Sequence, residues 1–277
     1  MAQFSPSDAA VEGFRVIGAH WRTVVGWAAF NLIAFVAIVV LTVVVALSVS
    51  GAGSGDAVAL AGAIGGVLDA VGTLIILATV TSGLYRLMLR PTEPGFMNLR
   101  IGLDELRVLA VWLIWIVGAL LFAYVAVRLG SLASRAAGWL AAPVGLAALA
   151  IAIWLALRFS LAAPLSFAQR RLGFGRSWRA TRGAAWSLLG MSLLVTCFVL
   201  LVCIAAAILF FVAAVLVLGF GDAVAAVARP QSVQEHPGIY LMQLAFDLVL
   251  SAVLIVIVHA PLVAACRALA PEVERPA

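Results

Sequence analysis

Six long apolar stretches divide this chain, roughly Thr23–Ser50, Val58–Tyr85, Val108–Val127, Gly138–Phe167, Ala184–Phe220 and Gly238–Arg267. Each reaches the ~20 residues that an α-helix needs to cross a bilayer. Across 277 residues, 65% are hydrophobic and only 10% are charged, whereas a soluble domain carries about 25% charged residues. No soluble core of this size could absorb so much apolar surface, so lipid must cover it. Inside lipid the backbone has to satisfy its own hydrogen bonds, and only helices or a closed barrel do that. Barrel strands alternate polar and apolar residues. The stretch from Phe35 to Val45 is instead apolar throughout except for Thr42. The expected fold is all-α: a polytopic bundle of six transmembrane helices, forming a single integral membrane domain over residues 1–277.

The basic residues set an expected orientation. All 17 are arginines, so no lysine is present to form a Schiff base or act as a shifted base. Fourteen of them fall in the N-terminal segment, the second connection, the fourth connection with the end of its span, and the C-terminal tail; the other connections hold three. Positive charge stays inside, which predicts a multi-pass protein with both termini cytoplasmic. Asp8 and Glu12 near the start, and a first apolar run too long for a signal h-region, predict a retained first span.

An amphipathic segment precedes each odd-numbered span. In the first, Ser5 can cap a helix, Pro6 suits its first turn, and Asp8 stands at the capping-box position. Ala10, Phe14, Ile17 and Trp21 then share a face. The second runs from Phe96 to Arg107, with Asp104 and Glu105 placed to suit the helix dipole. The third, Phe174 to Arg182, carries an arginine at every third position. Short cytoplasmic interfacial helices are expected there. Even spans share an exit, Tyr85-Arg-Leu-Met-Leu-Arg-Pro91 resembling Cys266-Arg-Ala-Leu-Ala-Pro271. The plan is three helical hairpins. Between Arg182 and Asp222 lie 39 uncharged residues, about 58 Å as one helix against a ~30 Å core. Gly219-Phe-Gly221 is the expected end of that helix.

Ionisable groups inside spans cost about 2.5–3.5 kcal/mol each to insert and so invite a functional reading. Asp69, Arg158, Asp247 and His259 are the candidates. Gly62, Gly66, Asp69 and Thr73 fall within about 60° on one helix face, and Gly62 and Gly66 form a GxxxG pair that should pack closely. Gln243 and Ser251 flank Asp247 at helical spacing. These charges either pair to hold the bundle in register or line a path for a proton, ion or polar head group. The three cysteines and three histidines are dispersed, and the sequence has no HExxH, GxSxG or Walker A motif. Gly51-Ala-Gly-Ser-Gly55 follows no strand and reads as a turn. No cofactor, metal, nucleic-acid partner or enzymatic activity is expected.

One region is more specific. Arg158-Phe-Ser-Leu-Ala-Ala-Pro-Leu-Ser-Phe-Ala168 is followed by Gly175-Arg-Ser-Trp-Arg-Ala-Thr-Arg-Gly-Ala-Ala-Trp-Ser-Leu-Leu-Gly190. It resembles the membrane domain associated with bacterial glycerophosphoryl diester phosphodiesterases and related six-span bacterial membrane proteins. The resemblance covers about 35 residues. It implies architecture, a bacterial inner membrane and a connection to lipid. It implies no catalysis, because no stretch here has the composition of a soluble phosphodiesterase. Arg170, Arg171, Arg176, Arg179 and Arg182 cluster around Trp178. They are the expected contact for lipid head groups, or for a membrane or cytoplasmic protein partner. A small transporter or channel using Asp69, Asp247 and Arg158 is the alternative.

Overall fold

The computed structural model describes residues 4–50, 55–91, 96–100, 102–221, 223–224 and 237–270. Among them the fold is an all-α, six-span membrane bundle: six helices are long and apolar enough to cross a membrane. The helices are α1 (Pro6–Ala19), α2 (Trp21–Ser50), α3 (Gly55–Leu89), α4 (Leu103–Ala136), α5 (Ala141–Phe159), α6 (Ala162–Gln169), α7 (Phe174–Ala180), α8 (Ala185–Leu218) and α9 (Pro237–Leu269). Gly51–Ser54, expected to form a turn, and His236 lie outside the described residues.

Local chemistry sets the element ends. The Asp8 N–H donates to Ser5 Oγ at 3.4 Å, so α1 begins where the capping residues place it. Gly219 has a φ of +88°, and α8 stops one residue earlier, as expected of a glycine beyond a helix end. The long fifth span is one helix of 34 residues. It is not exceptional, because α3 and α4 have 35 and 34 residues. Span three therefore extends well beyond Val108–Val127. The second amphipathic segment differs from expectation. Phe96–Asn98 is a short 3-10 turn, and Asp104 and Glu105 belong to the first turn of α4 itself.

The fourth span is broken. Pro164 has no N–H, and in a continuous helix its ring would strike the carbonyl of Ser160 four residues back. The chain accordingly turns at Ser160 and Leu161 and restarts as α6.

Contacts gather into two units. One takes in residues 1–12, 82–193 and 260–277; the other takes in 13–81 and 194–259. In the first, α4 packs along α5 and α6, and α7 packs on both α5 and α6. In the second, close approach is made by small residues. A Cβ on Gly13 would lie 2.7 Å from Ile257 Cα, and one on Gly65 would lie 3.0 Å from Thr42 Cγ2. The expected packing pair, Gly62 and Gly66, meets nothing within 4 Å. The packed face of α3 is Ala61, Gly65 and Gly72, one residue around the helix. On α1 the same shift appears. Ala9, Ala10, Gly13 and Val16 are buried, while Phe14 is 38% exposed; Trp21, expected on the same face, instead opens α2 and is 57% exposed. Helices in lipid pack through small residues and turn large apolar ones outward.

Candidate functional site

A polar cluster in the first unit joins the end of α3 to the start of α4. Arg86 Nη2 donates to Glu105 Oε1 at 2.5 Å, with the two side chains only 2% and 7% exposed. Arg86 Nη1 donates to the Asn98 carbonyl at 2.5 Å. The left-handed backbone at Met97 and Asn98 belongs to the turn that presents this oxygen. One helical turn on, Arg90 Nη1 meets Asp104 Oδ2 at 3.1 Å. Arg90 Nη2 donates to the Phe167 and Ala168 carbonyls at 2.8 and 3.2 Å, so Arg90 satisfies the last carbonyls of α6. Arg107 also donates to Asp104, and Arg267 donates to the Met88 carbonyl. The Phe167 ring lies under both guanidinium groups, 5.6 Å from Arg86 and 5.0 Å from Arg90.

Beside this cluster opens a cavity of about 360 Å³, lined by Arg86, Arg100, Asp104, Glu105, Arg107 and Arg170. Its four cations and two anions leave a net charge of +2. Arg170 reaches it from the left-handed residue that ends α6.

The second feature of this unit is Arg158. Its guanidinium carbon lies 5.5 Å from the ring centres of both Trp154 and Trp178. Nε and Nη1 are buried without a hydrogen-bond partner. The two indoles meet edge to face at 5.0 Å, and Phe159 stacks against Trp178 at 5.4 Å. The helix break at Ser160 gives the Arg158 carbonyl another partner: Ser177 Oγ donates to it at 2.8 Å. Thr181 Oγ1 lies 3.4 Å from the same oxygen and donates to the Ser177 carbonyl at 2.9 Å. Ser166 Oγ accepts from the Gly173 N–H at 2.8 Å, where a Cβ would lie 2.9 Å from Leu165 Cβ. The conspicuous sequence of the 158–183 region thus has a local cause for its arginine, proline, serine, tryptophan and threonine. Gly183, with φ +81°, supplies the positive-φ residue after α7.

Of the sequence-derived residues, Arg158 and Trp178 are brought into contact. Arg170, Arg171, Arg179 and Arg182 are exposed and Arg176 is half-buried. Asp69 lines a groove of about 550 Å³ between α2 and α3 of the second unit. Asp247 is exposed on α9 and His259 is half-buried there. Sequence reasoning missed Asn31, which is 2% exposed and donates to Ser251 Oγ at 3.1 Å. It also took Arg86, Arg90 and Glu105 as boundary markers. The available signal was two arginines four apart at one helix end and two acids opening the next helix.

No family model, curated protein or solved structure matches the chain.

Proposed function

We propose that this chain is a non-enzymatic integral protein of a bacterial inner membrane, with both termini cytoplasmic, that gathers anionic lipid head groups on its arginine-rich end. The observation that carries the reading is the run of arginines after α6, with Arg170, Arg171, Arg179 and Arg182 exposed and Arg176 half-buried; Arg170 also lines the +2 cavity. Anionic lipid is attracted at about 1 kcal/mol per basic residue near the surface. The resemblance of the 158–190 region to a phosphodiesterase-associated membrane domain supports a lipid connection. The alternative, a small transporter or channel, would use Arg158 together with Asp69 and Asp247, whereas here the guanidinium has an indole ring 5.5 Å away on each of two sides.

The test replaces Arg176, Arg179 and Arg182 by glutamine together and compares lipid retention by native mass spectrometry after gentle extraction. The expected outcome is loss of most of the co-purifying anionic lipid, with neutral lipid retained. Unchanged lipid together with a stoichiometric protein partner would make the surface a protein-docking face and overturn the lipid reading.

A further inference from the structure

Between α4 and α5 of the first unit runs an apolar groove of about 640 Å³. Small residues open it: Gly118, Ala119 and Ala123 on α4, and Ala148 and Ala152 on α5. Along α4 it spans Ile114 to Val127, about 20 Å of helix axis at 1.5 Å per residue. That exceeds half of the ~30 Å hydrocarbon core, the depth available to the chains of one leaflet. Phe159 and Phe174 line its other end. Arg158 itself does not line the groove; it directly precedes Phe159 on α5, and the Phe159 ring packs at 5.4 Å on the Trp178 ring that lies 5.5 Å from the guanidinium.

This guanidinium is an unfinished site. An arginine in a membrane normally pairs with a carboxylate or with carbonyls. Arg158 has two indole faces and no hydrogen-bond acceptor among the described residues. Nε and Nη1 are shut off from solvent, so Nη2 is the accessible donor nitrogen. The guanidinium has aromatic rings on two sides, set at 88° to each other, and its charge is left uncompensated. Nη2 keeps its N–H groups for an anionic oxygen, and charge-assisted hydrogen bonds from arginine to phosphate are among the strong ones. An apolar groove of leaflet depth, with an uncompensated cation on the residue next to its Phe159 end, is complementary to one molecule with an apolar chain and an anionic phosphodiester.

We infer that the α4–α5 groove and the Trp154–Arg158–Trp178 stack form a binding site for a single anionic phospholipid, one acyl chain lying in the groove and the phosphate on Arg158. This deepens the lipid reading and rests on it, but its cation, Arg158, is not one of the exposed arginine cluster.

The experiment measures lipid retained by native mass spectrometry after exchange into detergent containing phosphatidylglycerol, phosphatidylcholine or diacylglycerol. The intact chain is expected to hold one equivalent of phosphatidylglycerol. Arg158→Gln should lower that occupancy at least tenfold. Ala152→Leu, which fills the groove without touching the cation, should do the same. A phosphatidylglycerol carrying a diazirine on its acyl chain should label peptides of α4 and α5, and this also reports on protein that unfolds at the Arg158 substitution. Equal retention by Arg158→Gln, or equal retention of diacylglycerol, would overturn the site. If one equivalent persists in Arg158→Gln but disappears when Arg176, Arg179 and Arg182 are neutralised, the surface reading stands and this site fails. If it persists in that triple variant and disappears in Arg158→Gln, this site stands and the surface reading fails.

Discussion

Arg86 and Glu105 bring opposite charges to 2.5 Å in surroundings that water barely reaches. Removing one partner of such a pair leaves the other charged and buried, at a cost of about 3–5 kcal/mol. Glu105→Ala should therefore lower stability by roughly that amount, read as a loss of thermal stability in detergent. Arg86→Met combined with Glu105→Leu should lose much less than the two single changes added together, because neither charge is stranded. Additive losses would mean that the pair is not coupled. The Arg86–Glu105 pairing was hard to read in the sequence because it joins residues 19 apart through a turn. The charges alone fit membrane orientation and helix dipole equally well. Arg158 was legible as an odd charge within a span, but its partners were not. The expectation of carboxylate pairing overlooked the indoles at positions 154 and 178, which lie on different helices.

At the level of elements, the apolar runs gave away the helices, and glycine placement decides how they meet. Gly13 allows α1 to lie against the backbone of α9, since an added Cβ would reach Ile257 Cα at 2.7 Å and the Val256 carbonyl at 3.2 Å. Backbone does not step aside as a side-chain tip can. Gly13→Ala is expected to cost about 1–3 kcal/mol through overpacking. Gly62→Ala and Gly66→Ala, whose new methyl groups meet nothing within 4 Å, should be close to neutral. A thermal-shift comparison of the three variants checks both halves, and equal effects would return the packing face to the GxxxG pair. The sequence contains both sets of glycines. Pattern alone favoured the pair spaced by four. The neighbour that decides is Ile38 or Thr42 on α2, which no reading of α3 by itself can supply.

For the whole molecule, continuous apolar runs made the all-α, six-span fold legible, because lipid leaves the backbone few alternatives. The boundaries were less legible: helices run past the apolar stretches until a cap, a proline or a glycine stops them. The arginine asymmetry carries the orientation, and it predicts that reporters fused at the two ends will both report the cytoplasmic side. Opposite readings at the two ends would require an odd number of crossings. The broken fourth span adds a constraint on biogenesis. Its carbonyl at Arg158 is satisfied by Ser177 and lies near Thr181, residues synthesised later in the chain. Until α7 folds back onto the end of α5, that carbonyl lacks its side-chain donor. A chain truncated near Leu172 would carry neither Ser177 nor Thr181, and its fourth span would keep the break at Ser160 without the hydroxyls that meet it.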